Sequence, residues 1–301
     1  MNNLKMFCLT LEPSHLKFIK NLNYIPVGLG SKNFSSEWMG DKLGKNISEK
    51  NKYYGEYTFH YWIWKNQIIN FDNSWIGFCQ YRKHWSKNET EVKIENFSDL
   101  NNHILKDIPQ DFKNYECILG EPIFINQFRF SKFIKKNFKK MILNPQLFYD
   151  SNKRTIKFHF DMWHGDGNLE KAINLLDQNE KDDFRYFTET KTCFNPHNMF
   201  ICRPKFLKKY YESIFPWLER CENIFGFENL KGFGLKRIYG FLAERYLSYW
   251  FTKYTKYKTT LVSLRIDSYL FLRGLAARYL RHLCLKSSQP ASSQPARRQQ
   301  P

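Results

Sequence analysis

The most informative part of this 301-residue chain consists of three blocks: DKLGKNISEKN at residues 41–51, YYGEYTFHYWIWKN at 53–66 and WIGFCQYRK at 75–83. In the middle block, aromatic side chains recur at helical intervals, which predicts a helix over residues 53–66. The third block is a short apolar run that ends abruptly in polar residues, which predicts a strand with a charged cluster at its carboxyl end. Ligands bind at that end of the strands in open α/β sheets, so the blocks predict a ligand cleft.

The flanking segments alternate between strand-like and helix-like patterns. Residues 4–11 and 24–29 predict strands, and residues 30–51 predict a glycine-containing loop. Later patterns predict helices at 99–105, 169–176 and 205–225, strands at 117–119 and 199–202, and a last helix that begins near Arg237. This alternation predicts the α/β class, with one main domain and additions.

The chain is strongly basic, with 47 Lys and Arg against 29 Asp and Glu and a formal charge of +18. Such a charge predicts an acidic partner, for which three classes qualify: nucleic acid, anionic lipid and phosphate-bearing small molecules. The basic residues are scattered, and no RRM, KH or zinc-finger signature is present. Nucleic acid is therefore the least favoured partner, and a gel shift at physiological ionic strength tests it.

The seven cysteines form no Cys-x-x-Cys pair, and an odd number cannot all form internal disulfides. This usage favours a reducing compartment, hence a cytoplasmic location. Cysteine and histidine spacings do not match a zinc finger, so no metal-binding residue is predicted. The N-terminus is typical of a strand rather than of a signal peptide, and no run of about 18 apolar residues is present. We expect a soluble or membrane-peripheral protein.

The C-terminal part divides into two segments. Residues 256–285 predict a basic and apolar helical extension, and residues 286–301 a disordered tail rich in Pro, Ser and Gln. Attachment to an anionic membrane surface and packing against the domain both remain open for the extension. Lysines within residues 128–142 favour a solvated helix face over phosphate or lipid contact.

Seven short motifs occur in this order along the chain: YIPVG at 24–28, NISEKN at 46–51, Tyr54 with Glu56, WIWKN at 62–66, IGFCQYR at 76–82, FNPHNMFI at 194–201 and GFLAER at 240–245. Together with Asp41 and Gly44 they resemble a bacterial glycosyltransferase family that was first catalogued as a domain of unknown function. That family is linked to capsular and exopolysaccharide synthesis. The resemblance spans roughly residues 4–251.

The resemblance implies a GT-A-like domain over residues 1–255, with a Rossmann-like mixed sheet and flanking helices. It also implies transfer of a sugar from a nucleotide-diphosphate donor, a UDP-sugar in first place, to a glycan or lipid-linked acceptor. The expected pathway is surface polysaccharide synthesis, including capsule, exopolysaccharide or lipopolysaccharide. The reaction would take place at the cytoplasmic face of a bacterial membrane.

The chain departs from the family where the third block ends. The family commonly has His-Tyr-Arg-Arg there, whereas this chain has Gln80, Tyr81, Arg82 and Lys83. Glutamine cannot act as an acid and is a poor metal ligand, but the two cations can stabilise a departing diphosphate.

Metal-using GT-A enzymes generally present Asp-x-Asp near this strand end, and the chain contains no such motif. We therefore expect metal-independent activation by Arg82 and Lys83. Mn²⁺ or Mg²⁺ held around Asp161, His164 and Asp166 is the alternative, and a turn stabilised by Asp side chains explains those residues more simply.

Transfer with inversion requires a carboxylate that takes the proton of the acceptor hydroxyl. Glu244 is the first candidate and Asp161 the second, while an ion pair on the helix is the structural explanation for Glu244. If configuration is retained, Glu244 orients a substrate instead. The predicted donor-binding residues are Asn46, Lys50, Asn51, Glu56, Lys65, Asn66, Tyr81, Arg82 and Lys83. The predicted acceptor-binding residues are Trp64, His164, His197, Asn198 and Arg245.

Two non-enzymatic alternatives remain. The Gln80 change and the missing Asp-x-Asp also fit a noncatalytic carbohydrate-binding or scaffold protein of the same fold. Binding of a donor without turnover, unaffected by Glu244→Gln, would support that alternative. Nucleic-acid binding is the other.

Overall fold

A seven-stranded mixed sheet forms the centre of the structure, a computed structural model that describes residues 4–69, 74–88, 90, 92–126, 142 and 144–262. Its strands are β1 (Leu4–Thr10), β2 (Ile25–Gly28), β3 (Met39–Gly40), β4 (Trp75–Gln80), β5 (Cys117–Gly120), β8 (Phe200–Cys202) and β9 (Tyr257–Thr260). They lie in the order β3-β2-β1-β4-β8-β5-β9, in which β8 alone runs antiparallel to its neighbours. β6 (Ile123–Phe124) and β7 (Cys193–Phe194) form a separate antiparallel pair.

Helices pack around this sheet. They are α1 (Leu16–Asn21), α2 (Asn51–Tyr54), α3 (Tyr57–Lys65), α4 (Phe97–His103), α5 (Gln146–Tyr149), α6 (Ile156–His164), α7 (Asn168–Ile173), α8 (Gln178–Thr190), α9 (Pro204–Phe225), α10 (Gly232–Lys236) and α11 (Ile238–Tyr254). Among the described residues, no helix combines the length and the apolar character that a membrane crossing requires.

The sheet is buried on both faces, and alternate side chains of its strands belong to different cores. Phe7 and Leu9 of β1 pack with α3, α9 and α11 on one face. Met6 and Cys8 of the same strand belong to a second cluster on the opposite face. This period of two is the geometry of an extended strand, and burial on both faces is usual where parallel strands are covered by helices.

The α/β class with a mixed sheet and flanking helices is thus confirmed, with local differences. The aromatic helix predicted over residues 53–66 is two helices, because Gly55 has φ +60° and ends α2. The predicted loop at 30–51 contains the short strand β3. Residues 257–260, assigned to the C-terminal extension, form a strand paired with β5. The rest of that extension from residue 263, the tail, and most of the basic stretch at 128–142 lie outside the described residues.

Candidate active site

A cleft with a volume of about 360 Å³ opens at the carboxyl ends of β1 and β4. The strand ends provide Thr10, Leu11, Gln80, Tyr81 and Arg82. The junction between α2 and α3 provides Asn51, Lys52, Gly55 and Glu56, the β7–β8 turn provides His197 and Asn198, and the start of α11 with the residue before it provides Arg237, Gly240, Phe241 and Glu244. Five separate parts of the chain therefore converge at the edge of the sheet where the sequence predicted a ligand cleft.

Glu56 lies at the centre of a polar network on one side of the cleft. Gln80 Nε2 donates a hydrogen bond to Glu56 Oε1 at 2.7 Å, and the same amide nitrogen lies 3.2 Å from the His197 carbonyl oxygen. Arg237 Nη2 lies 3.4 Å from Glu56 Oε2. Both carboxylate oxygens of Glu56 thus face N–H donors, and the carboxylate connects β4, α3 and the residue before α11.

Glu244 is the second carboxylate of the cleft, and it is held differently. The His197 backbone N–H donates to Glu244 Oε1 at 2.5 Å, and the Arg245 guanidinium donates to Oε2. Arg245 is only 2% exposed, and its guanidinium carbon lies 3.9 Å from the centre of the Phe194 ring. A buried cation requires a counter-charge, which Glu244 supplies from the cleft wall.

His159 lies behind this pair, on the other side of Arg245. Arg245 Nη2 lies 3.3 Å from His159 Nδ1. Burial and the adjacent Arg245 charge lower the pKa of His159 to about 2, so its ring is neutral and accepts this hydrogen bond. The Glu244 carboxylate therefore lies over a cation that is itself fixed by an aromatic ring and a neutral histidine.

The turn between β7 and β8 has an unusual backbone. His197 and Asn198 both adopt left-handed conformations, with φ of 78° and 54°. Such conformations of residues other than glycine cost about 1–3 kcal/mol and persist where surrounding contacts enforce them. His197 contacts Glu244 through its N–H and Gln80 through its carbonyl oxygen. Asn198 Nδ2 donates to the Gly240 carbonyl oxygen at 3.3 Å, whereas its buried Oδ1 has no hydrogen-bond partner.

Arg82 lies at the rim of the cleft, and Lys83 lies behind it. The Tyr81 ring stacks on His15 with centres 4.2 Å apart, and the Arg82 guanidinium carbon lies 5.2 Å from the Tyr81 ring centre. Burial, followed in size by a raising effect of Glu12 and a lowering effect of Arg82, leaves the pKa of His15 below its ordinary value. Lys83 Nζ lies 2.9 Å from Nδ1 of His197. The aromatic pair therefore positions Arg82 where an anionic ligand could be bound.

The structure brings part of the predicted site together. Of the predicted residues, the cleft is lined by Asn51, Glu56, Tyr81, Arg82, His197, Asn198 and Glu244. Three more lie directly behind its wall: Lys83 and Arg245, described above, and His164, whose ring stacks on Phe241 with centres 4.0 Å apart and whose Nδ1 lies 2.9 Å from the Gly234 carbonyl oxygen. These three touch cleft residues rather than the cleft itself.

Three predicted donor-binding residues lie outside the cleft, where local contacts account for them. Asn46 stabilises its own loop by accepting a hydrogen bond from the Ser48 hydroxyl at 2.9 Å. Asn66 bonds the backbone of Lys45 through both its amide oxygen and its amide nitrogen. Lys50 pairs with Glu222 at 2.6 Å.

The remaining predicted residues outside the cleft lie on helix surfaces. Trp64 stacks on Phe215 with ring centres 5.2 Å apart, and Lys65 Nζ lies 3.7 Å from the centre of the Trp64 ring. Asp161 lies on α6 and lines a separate open depression together with Lys157. The second candidate base therefore does not line the cleft.

Several cleft residues were not predicted, chiefly Thr10, Lys52, Arg237 and Phe241. Among these, Arg237 had the strongest sequence signal for a cleft residue, because it lies just before the GFLAER motif. In the structure, Gly55 lies opposite Arg237 and leaves space for its side chain. A Cβ at Gly55 would collide with Arg237 Nη2. That relation becomes visible only when the two segments, 182 positions apart by number, are placed in space.

The side chains that line the cleft do not provide the oxygen ligands that a bridging Mn²⁺ or Mg²⁺ requires. Such ions require several oxygen ligands, usually carboxylates. The two carboxylates of the cleft, Glu56 and Glu244, each direct both oxygens at N–H groups, including those of Arg237 and Arg245.

Comparisons with known proteins agree with this architecture. A family model described as "Domain of unknown function (DUF4422)" matches residues 8–256. The apo structure of the bifunctional glycosyltransferase WbbM is similar, with a TM-score of 0.57 and 19% sequence identity. The similarity covers 87% of this chain but only 45% of that one. No curated protein matches the sequence. The similarity in structure shows a GT-A-like fold, as the sequence predicted.

Proposed function

The chain belongs to the DUF4422 family, and on that premise we propose that it is a glycosyltransferase that uses a nucleotide-diphosphate sugar, with UDP-sugars as the first candidates. One observation carries the proposal: Arg82, Arg237 and Glu244 line the same cleft at the carboxyl edge of a GT-A-like sheet. Cations for a leaving diphosphate and a carboxylate for an acceptor hydroxyl are the two requirements of sugar transfer. The acceptor is a glycan or a lipid-linked sugar of a bacterial surface polysaccharide.

The donor diphosphate would bind against Arg82 and Arg237, which line the cleft. Arg82 and Arg237 each present a planar guanidinium, which can donate two parallel hydrogen bonds to phosphate oxygens. Lys52, on α2, adds a third positive charge to the same lining. The sugar would then extend from the diphosphate toward the β7–β8 turn, where His197 and Asn198 line the cleft.

The proposed reaction follows from these positions. The acceptor oxygen bonds to the anomeric carbon while the bond from that carbon to the diphosphate oxygen breaks. The acceptor proton passes to Glu244, and the bonding electrons leave with the diphosphate, whose charge Arg82 and Arg237 stabilise. Arg245 and His197 hold Glu244 and act as positioning residues. If the enzyme retains configuration, Glu244 orients the acceptor instead.

The location in the cell is also part of the proposal. The six cysteines among the described residues are all free thiols, which fits a reducing cytoplasm, where nucleotide sugars are consumed. Attachment of the extension predicted at residues 256–285 to an anionic membrane surface is part of the proposal.

Donor binding is the direct test. Titration calorimetry of the full chain with UDP and a panel of UDP-sugars should give saturable binding, and Arg82→Ala should weaken it about 10- to 100-fold because charge-assisted hydrogen bonds are lost. Lys65→Ala is the matched control, since Lys65 lies on the helix surface outside the cleft. Equal affinity of Arg82→Ala and the parent would contradict the proposed donor site. Binding without sugar transfer would instead support the noncatalytic alternative.

Metal dependence is tested with the same assays. Because the cleft directs cations rather than free carboxylates at the donor, we expect binding and transfer in the presence of EDTA. Added Mn²⁺ or Mg²⁺ should change the initial rate less than about twofold, which corresponds to under half a kcal/mol. Transfer that starts only after Mn²⁺ is added would overturn the metal-independent mechanism.

A further inference from the structure

A second group of reactive side chains lies on the sheet face that carries the second core cluster. Cys8 of β1 and Cys79 of β4 are register partners on adjacent parallel strands. His84, from the loop after β4, joins them, so that the two sulfurs and one His84 ring nitrogen all lie within 4.8 Å of one another. The three residues are 0%, 1% and 1% exposed. The proposed transfer reaction uses none of them.

The orientation of the His84 ring selects one nitrogen. Nε2 lies 3.1 Å from the Tyr81 carbonyl oxygen, to which it donates, so Nδ1 carries the free lone pair. Nδ1 is buried and has no hydrogen-bond partner. Histidine ligands of metals commonly have this arrangement, in which a backbone carbonyl fixes the second ring nitrogen.

We propose that Cys8, Cys79 and His84 form a closed site for a thiophilic divalent cation, with zinc in first place, that fastens the loop after β4 to the sheet. Sulfur and imidazole donors favour zinc over magnesium, calcium or manganese. Binding releases the two thiol protons to solvent, and the two thiolate charges neutralise the divalent ion. A neutral cluster is the form that complete burial allows.

The geometry is close to what zinc requires. Zn–S bonds of about 2.3 Å in a tetrahedron place two sulfurs roughly 3.8 Å apart, so the donors have to approach by no more than about 1 Å. The Tyr24 ring lies beside the group, with its centre 6.2 Å from that of the His84 ring, and its hydroxyl donates to the Leu105 carbonyl oxygen at 2.8 Å.

The site has a structural consequence for the cleft. His84 Nε2 donates a hydrogen bond to the Tyr81 carbonyl oxygen, and the Arg82 guanidinium lies over the Tyr81 ring. A bound cation would connect β1, β4 and this loop at one point. The inference does not depend on the transferase reaction, because occupancy is measured as metal content.

The chain provides a matched control pair. Cys117 of β5 and Cys202 of β8 are also register partners, both fully buried. Within the described part of the chain, no third metal-ligating side chain joins them. A pair of buried thiols without the histidine should not retain zinc.

The experiment measures zinc in the full-length chain, purified under reducing conditions and equilibrated with zinc, by plasma mass spectrometry. We expect one zinc per chain, a loss of at least tenfold in occupancy for Cys79→Ser and for His84→Ala, and unchanged occupancy for Cys202→Ser. Cobalt substitution should give sulfur-to-cobalt charge-transfer absorption in the parent and in Cys202→Ser only. Circular dichroism separates loss of metal from loss of fold.

Three outcomes would overturn the proposal: a parent chain without zinc, zinc retained in both Cys79→Ser and His84→Ala, or a Cys8–Cys79 disulfide found by mass mapping after alkylation. If the two site variants fail to fold, cobalt spectra of the parent decide, since absence of thiolate charge-transfer bands also contradicts the site.

Discussion

Glu56 and Glu244 have the same chemistry but different partners. Glu56 is held by the Gln80 amide and faces Arg237, which itself lines the cleft. Glu244 is held from behind by a backbone N–H and the buried Arg245. The cation beside Glu56 is thus available to a ligand, whereas the cation beside Glu244 is not. This difference favours Glu244 as the residue that accepts a proton and Glu56 as a residue that positions Arg237.

Glu244→Gln should therefore reduce kcat by about 100-fold or more while the donor Kd stays within about twofold. The glutamine oxygen can still accept the His197 N–H, but the amide can neither take a proton nor balance the buried Arg245 charge, so circular dichroism has to show that the variant folds. Initial rates at saturating donor, together with calorimetry, check both parts.

Asp161→Asn distinguishes the two candidate bases. Because Asp161 lies on α6 in a separate depression, its substitution should leave kcat unchanged. A large decrease for Asp161→Asn with an active Glu244→Gln would reverse the assignment.

Single residues could be predicted where a motif carries its own geometry. Arg82 follows an apolar strand and could be assigned to the strand-end cleft from sequence, whereas Glu244 was proposed from its resemblance to the acidic residue of inverting GT-A enzymes. Arg237 could not, because its position depends on the space that Gly55 leaves. Lys50 and Asn66 have the polar character of ligand-binding residues, but an ion pair with Glu222 and closure of a loop account for it.

The junction between α2 and α3 is the element that shapes the cleft wall. The aromatic periodicity runs through residues 53–66 without interruption, so it predicts one helix. Gly55 breaks that helix with φ +60° and ψ −132°, a conformation that favours glycine. The break turns Glu56 toward Gln80 and leaves room for Arg237. Sequence periodicity reports which face is buried, but not where a glycine changes the helix direction.

Gly55→Ala tests this junction against Gly226→Ala. Gly226 has nearly the same backbone conformation, φ 56° and ψ −151°, but its added Cβ would meet open space. Both substitutions should lower the free energy of unfolding by about 1–3 kcal/mol through backbone strain. Only Gly55→Ala should also weaken donor binding, because it displaces Arg237.

Urea unfolding and UDP calorimetry on the two variants make this comparison. Equal donor affinities for Gly55→Ala and Gly226→Ala would show that the position of Arg237 does not matter for binding.

For the molecule as a whole, buried neutral histidines link stability to pH. Burial lowers the pKa of His60 to about 3, and burial with Arg245 lowers that of His159 to about 2, against an ordinary value of 6.5. Below pH 6.5 the unfolded chain takes up protons that the folded chain does not. The free energy of unfolding should therefore be unaffected by these groups above pH 6.5 and fall as the pH drops toward 3.

The expected loss approaches about 1.4 kcal/mol per pH unit for each histidine once the pH is well below 6.5. Urea unfolding between pH 7.5 and pH 5, roughly the range before carboxylates titrate, measures the slope. His60→Leu should remove the contribution of His60 to the pH dependence of the free energy of unfolding. An identical pH dependence in parent and variant would contradict the assignment of a neutral, buried His60.

The α/β class and the position of the cleft could be predicted from alternating patterns and from one strand end. The sheet order could not, because β8 and β9 are short and their pairings are distant along the chain. β8 pairs with β4 through Ile76 and Gly77, more than a hundred positions earlier. Patterns of local hydrophobicity contain no information about such partners.

The place of β8 between β4 and β5 also sets the order in which a nascent chain can fold. When β5 has left the ribosome, its sheet neighbours β8 and β9 have not yet been synthesised, and β4 still has an open edge. The two halves of the sheet can join only after residue 202 has emerged. Unpaired strand edges invite association with other chains during that interval. Biosynthesis of this protein should therefore depend on chaperones more strongly than the stability of its finished fold would suggest.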